Sequence, residues 1–192
     1  MTLWEFVPHR TAESEADMQA AARALRRFHE VFGSFNGTLP LFTVAIAACK
    51  DILAVQARTP DLDVGSRAFL SALYDRLNEK LSSYAYEHAP LHGDAHLGDV
   101  LLTDSGAVWT DLEATCRGPR EWDIASLPEA TWSEFDGVDP ELIRCLADLR
   151  SLCVAAWCWA DYGRSSDVSE AAEYHLRSLR VRFAQLPSLI AA

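Results

Sequence analysis

The sequence predicts a mainly helical chain with one small β-hairpin, and three observations carry that reading. Apolar residues recur at helical spacing in three segments before residue 88 and in two after residue 138. Between them, Val100–Thr103 and Ala107–Thr110 are short strand-like runs joined by Asp104-Ser105-Gly106, a hairpin signal. The chain has 192 residues, 49% hydrophobic and 23% charged, with 9 Gly and 8 Pro, which suits one folded domain and not a disordered chain.

Taken in order, Thr2–Val7 is an aromatic and β-branched run stopped by Pro8, an extended segment that needs a pairing partner. From Ser14 to Phe32 the positions Met18, Ala21, Ala22, Leu25, Phe28 and Phe32 form one stripe, with Ser14 and Asp17 as a capping pair and Gly33 as the stop. Leu41–Arg58 is apolar nearly all round, which predicts a helix sunk in the core and ended by Thr59-Pro60. Ser66–Glu87 carries Phe69, Leu70, Leu73, Leu77, Leu81 and Tyr84 on one face. Beyond the hairpin, Asp139-Pro140 opens a helix through Tyr162, with Pro140 in the first turn where its missing N–H costs nothing. A last helix spans about Asp167 to Leu186.

Charge and cysteines narrow the function classes. With 17 basic and 28 acidic residues the formal charge is −11, which opposes binding to a phosphate backbone. The same charge suits a cationic small molecule, or serves only to keep the surface soluble. Five widely spaced cysteines without a C-x-x-C pair suggest buried thiols and not disulfides or a zinc knuckle. The start MTLWEFVPHR has no signal-peptide pattern, and no apolar run reaches the roughly 18 residues that span a bilayer, so a reducing cytoplasm is expected.

The chemistry concentrates in residues 91–125, LHGDAHLGDVLLTDSGAVWTDLEATCRGPREWDIA. The hairpin holds Asp94 and Asp99 before its first strand and Asp111 at the end of its second. Three carboxylates brought together repel one another unless a cation neutralises them, and carboxylate oxygens are what Mg²⁺ prefers. Each acid taken alone also suits a turn or cap. His92 and His96, four apart, would be zinc ligands on a helix, but Gly93-Asp94 disfavours a helix there.

Residue by residue this stretch resembles the catalytic core of the aminoglycoside phosphotransferase and choline-kinase-like family, which has the protein-kinase fold. The family pattern H-G-D-x-H-x-x-N, a hairpin, an Asp and G-P-x-x-x-D-x-A meets His92-Gly93-Asp94-Ala95-His96-Leu97-Gly98-Asp99, the hairpin, Asp111 and Gly118-Pro119-Arg120-Glu121-Trp122-Asp123-Ile124-Ala125. The departure is Asp99, which stands where the family has Asn.

The resemblance implies an ATP-dependent phosphotransferase acting on a hydroxyl of a small molecule. Asp94 is then the base, with His92 supporting it, and Asp111 and Asp99 hold Mg²⁺ that bridges the ATP phosphates. It implies supporting roles for His96, Gly118 and Asp123, and places Trp122 in the core. Thr2–Pro8 resembles the family's hinge, so Trp4, Glu5 and Phe6 would touch the nucleotide. The likeness covers only the C-terminal helical lobe, because the 91 residues before His92 read as one strand and three helices and not as a β-rich lobe with a phosphate loop and Lys. Two function classes follow: a small-molecule kinase, or a non-catalytic lobe acting as a binding or dimerisation module. A face left uncovered near Trp4, Phe6 and the hairpin favours a homo-oligomer. Glu113, Glu121 and Asp161 would suit an amine-bearing alcohol such as an aminoglycoside.

Overall fold

The computed structural model describes residues 6–185, in two compact units. The first comprises the chain up to Leu41 together with Tyr86–Ile143; the second comprises Phe42–Ala85 and the chain from Arg144 onward.

In the first unit, α1 (Glu15–Phe32) begins where its sequence says it should. Ser14 Oγ accepts the Asp17 N–H at 3.2 Å, and Asp17 Oδ2 accepts the Ser14 N–H at 3.0 Å, so two otherwise unpaired donors of the first turn are satisfied. Its stripe of Ala21, Ala22 and Leu25 is fully buried. The hairpin joins β2 (Val100–Thr103) to β3 (Gly106–Trp109), with Val100 opposite Trp109 and Thr103 opposite Gly106. A second antiparallel pair, β1 (Ala89–Leu91) with β4 (Cys116–Gly118), encloses the hairpin in sequence. A four-residue helix, α4 (Glu121–Ile124), follows. The core of this unit gathers Ala21, Leu25, Val100, Leu102, Trp109, Ile124, Leu127, Phe135 and Ile143. Trp109 Nε1 donates to the Ala21 carbonyl at 3.1 Å, which fixes the hairpin against α1.

Helix α5 (Pro140–Ala160) starts within the first unit and runs on into the second, which also holds α2 (Thr43–Ala54), α3 (Val64–Ser82) and α6 (Ser166–Arg182). Asp63 caps α3 by accepting the Ser66 N–H at 2.9 Å, so the helix begins at Val64, two residues before the Ser66 start that the apolar stripe suggests. Ser165 caps α6 in the same way. Buried side chains include Ile46, Cys49, Leu53, Leu70, Leu73, Leu77, Leu146, Leu149, Leu152, Leu176 and Leu179.

Two expectations change. The segment Leu41–Arg58 is not one helix sunk in the core: α2 stops at Ala54, and Leu41, Val44 and Val55 are exposed while Ile46, Cys49, Ile52 and Leu53 are buried. Val55 is extended, and a short 3-10 turn at Gln56–Arg58 completes the segment. The first-strand expectation falls mostly on residues 1–5, outside the described part; within it, residues 6–9 have no regular structure, and Arg10 bridges to Leu102. All five cysteines are free and four are buried, as expected of core thiols.

Candidate active site

Residues 92–99 leave β1 and enter β2, while 110–115 leave β3 and enter β4, so both connecting segments are held at each end by a strand pair. The local sequence explains the path of the first. Gly93 has φ +90°, and a Cβ there would lie 1.9 Å from the Ala114 carbonyl oxygen, so no other residue fits without moving the second segment. Its own carbonyl accepts the Trp122 Nε1–H at 2.8 Å.

His92 is fully buried. Its Nε2 lies 2.8 Å from the Thr110 carbonyl, which can only accept, so this nitrogen carries the proton. The Thr110 N–H and hydroxyl both donate to the Asp99 carbonyl at 2.9 Å. His92 thus reaches across to the second segment, and Thr110 returns the link to Asp99.

Asp123, at the middle of α4, is fully buried and accepts the N–H groups of His92 and Gly93, each at 2.9 Å. Burial pushes its carboxyl up; hydrogen bonding and charge from His29, with the two backbone N–H groups, outweigh this and hold it below the ordinary carboxylate range. Asp123 thus ties α4 to the two residues that precede Asp94. Gly118 sits in β4 opposite Ala89.

The three candidate acids fall around this frame. Asp94 follows Gly93 and is half-buried, its carbonyl accepting the His96 N–H at 3.0 Å. Asp99 is half-buried, with Oδ2 3.2 Å from His96 Nε2. Burial pushes the Asp99 carboxyl up, His96 and His92 pull it down, and the charges of Asp111 and Asp94 push it further up. Asp111 is exposed and has φ 60° and ψ 65°, the only non-glycine among the described residues in the left-handed region. Backbone strain of this kind collects where a side chain must be aimed for function.

Asp99 and Asp111 offer the oxygen donors Mg²⁺ takes at nucleotide sites, where one or two carboxylates are joined by phosphate oxygens. Among the described residues no group of three or more His, Cys, Asp or Glu is gathered closely enough to hold a metal ion, so protein atoms alone do not make a metal cage. Of the hinge-like residues, Trp4 and Glu5 lie outside the described part, and Phe6 is 80% exposed. His29 and Thr110 are members of the site that motif reading passes over. His29 had a signal, since position 29 falls four after Leu25 on the apolar stripe of α1.

The fold recurs in solved kinases. Amicoumacin kinase hAmiN, solved with AMP-PNP, Ca²⁺ and amicoumacin, aligns with a TM-score of 0.68 at 14% identity, over 93% of this chain and 64% of that one. Choline kinase from Cryptosporidium parvum aligns with a TM-score of 0.71 at 12% identity, over 95% of this chain and 70% of the other. The aminoglycoside phosphotransferase APH(2")-IIIa, solved with GDP and kanamycin, aligns with 0.69 at 15% identity, over 93% and 70%. This chain therefore spans roughly two thirds of the length of each, and the common ground is the mainly helical lobe with its small hairpin. No curated protein matches the sequence. The model of the phosphotransferase enzyme family (APH) matches residues 1–165, most of the chain, and with the loop, hairpin and Asp123 brace in place the chain belongs to that family.

Proposed function

We propose that this chain carries the catalytic lobe of a small-molecule kinase that transfers the γ-phosphoryl group of ATP to an alcohol. The observation that carries the reading is the braced loop: the buried Asp123 carboxylate accepts the His92 and Gly93 N–H groups next to Asp94, while Asp111, on the facing segment, has left-handed backbone angles. Asp94 accepts the proton of the attacking hydroxyl. Asp99 and Asp111 would hold Mg²⁺, which supplies positive charge to the phosphate oxygens as negative charge develops. His92, Gly93 and Asp123 fix where Asp94 stands, and positioning is most of what phosphoryl transfer asks of a protein.

For the acceptor, the net charge of −11 favours an amine-bearing alcohol. Glu113, exposed two residues after Asp111, is the candidate contact for the amine. The buried free thiols suit a cytoplasmic protein, and no described helix is long and apolar enough to cross a membrane.

The test is transfer from Mg-ATP to a panel of amino alcohols and aminoglycosides, with Asp94→Ala as the control. The expected result is loss of transfer with an unchanged circular-dichroism spectrum and melting curve. Transfer that survives Asp94→Ala would sink the mechanism.

Asp99 in place of Asn, with Phe6, Val108 and Leu112 exposed, favours a second reading, a non-catalytic lobe that self-associates. Absence of heat on titrating Mg-ATP, together with a dimer by light scattering at micromolar concentration, would select it.

A further inference from the structure

We infer that His29, on α1, is a positioning residue for the loop that carries Asp94, because it holds the Asp123 carboxylate in the orientation that serves both loop amides. Only the kinetic part of this inference rests on the phosphotransferase reading.

His29 Nε2 lies 2.8 Å from Asp123 Oδ2, across 94 positions of sequence, and the two side chains are 4% and 0% exposed. Asp123 already accepts two backbone N–H groups, so its carboxylate is an acceptor and His29 Nε2 is the donor. Oδ2 receives His29 and the His92 N–H, while Oδ1 receives the Gly93 N–H. Two donors from adjacent residues of one loop would move with that loop. A third, from a helix outside it, ties the carboxylate plane to the rest of the unit.

A purely structural role is a poor account of this histidine. Position 29 lies on the stripe of Ala21, Ala22 and Leu25, facing the core, where a leucine would be buried without desolvating a polar ring. His29 Nδ1 is itself buried and has no hydrogen-bond partner among the described residues, so Asp123 is what offsets the cost of burying the imidazole. The ring also contacts Phe135, its centroid 6.4 Å away, which limits its rotation. From this anchor the chain of contacts runs His29, Asp123, the His92 and Gly93 amides, and then Asp94.

The experiment is amide hydrogen exchange on the full chain, comparing the wild type with His29→Gln and His29→Leu. In His29→Leu the His92 and Gly93 amides are expected to exchange at least about 10-fold faster relative to the Leu25 and Ile143 amides, which report the unit as a whole. His29→Gln keeps a side-chain N–H donor and should stay within roughly 3-fold of wild type. Equal acceleration of all four amides in His29→Leu, or unchanged protection of the two loop amides, overturns the proposal.

Should the leucine variant fail to fold, imidazole ¹⁵N shifts of the wild type decide. A proton on His29 Nε2 supports the contact, and the tautomer protonated only on Nδ1 refutes it. In kinetics, His29→Leu should lower kcat roughly 10- to 100-fold with KM for ATP within about 3-fold, and His29→Gln should restore most of kcat. A rise in KM with kcat unchanged counts against positioning. No turnover in any form, wild type included, refutes the phosphotransferase reading and leaves the exchange result to decide the role of His29.

Discussion

His96 Nε2 stands 3.2 Å from Asp99 Oδ2, so the carboxylate that replaces the family's Asn is met by a histidine three residues earlier. That contact partly offsets a charge placed, half-buried, within reach of Asp94 and Asp111. Asp99→Asn should therefore stabilise the protein in metal-free buffer and weaken Mn²⁺ binding roughly 10-fold, or about 1.4 kcal/mol. The pH dependence has a definite sign. A carboxyl held above its ordinary value near 3.8 favours folding most below that value, and the contribution is lost as pH rises through the raised one. The stability advantage of Asp99→Asn should accordingly open as pH rises from 4 toward neutrality and close again in acid, as read by melting curves.

Asp17 has the opposite sign. Arg10 grips its carboxylate with both terminal nitrogens, at 2.8 and 2.6 Å, and the Ser14 and Glu13 N–H groups add to the hold. The Arg10 guanidinium and the Ser14 N–H keep this carboxyl well below the usual range against the effect of burial. Its contribution is present above pH 4 and is lost as pH falls toward the lowered value. Asp17→Asn should melt below the wild type at pH 7 and approach it as the pH drops under 4. A gap independent of pH would contradict this.

Gly93→Ala should be among the most damaging single changes in the first unit. It forces a Cβ to within 1.9 Å of the Ala114 carbonyl oxygen at a φ of +90°. A cost of about 2 kcal/mol or more lowers the melting temperature of a chain this size by roughly 4–8 °C. Phosphoryl transfer, measured on the folded fraction, should fall with it.

Trp122→Phe keeps most of a buried ring and removes the N–H that the Gly93 carbonyl accepts at 2.8 Å. An expected loss of about 1–2 kcal/mol reads as a drop of roughly 2–8 °C in melting temperature. Because the partner is a loop carbonyl, kcat should fall more than KM rises. Equal change in both would mean the bond serves the fold and not the site.

Much of this was legible in the residues, for identifiable reasons. The capping box of α1 and the Asp104-Ser105-Gly106 turn are local signals, and each determines its own structure within a few residues. The H-G-D and G-P-x-x-x-D spacings pointed to residues 92–94 and to Asp123, and the Asp123 carboxylate accepts the His92 and Gly93 N–H groups. The pairing of β1 with β4 left no comparable trace. Each strand is three residues long, one contains Pro90, and neither is long enough to show alternation. His29 was only half legible: four after Leu25 it falls on the apolar stripe of α1, but its partner Asp123 lies 94 positions along the chain and leaves no local trace. The exposed side of α2 shows the converse, since apolar content says that surface wants cover and not whether the chain supplies it.

The nesting of β2 and β3 inside β1 and β4 has a consequence for the order in which the site comes apart. The β2–β3 ladder is local, and the β1–β4 ladder that encloses it joins Ala89 to Gly118 and Leu91 to Cys116, so both close shorter stretches of chain, at a smaller loop-entropy cost, than the bonds from α1 do. The bonds from α1, Trp109 to Ala21 and His29 to Asp123, span 88 and 94 positions. Fraying of α1 would thus loosen the brace on the loop while the hairpin is still paired, and the acids would lose their alignment before the strands lose their register.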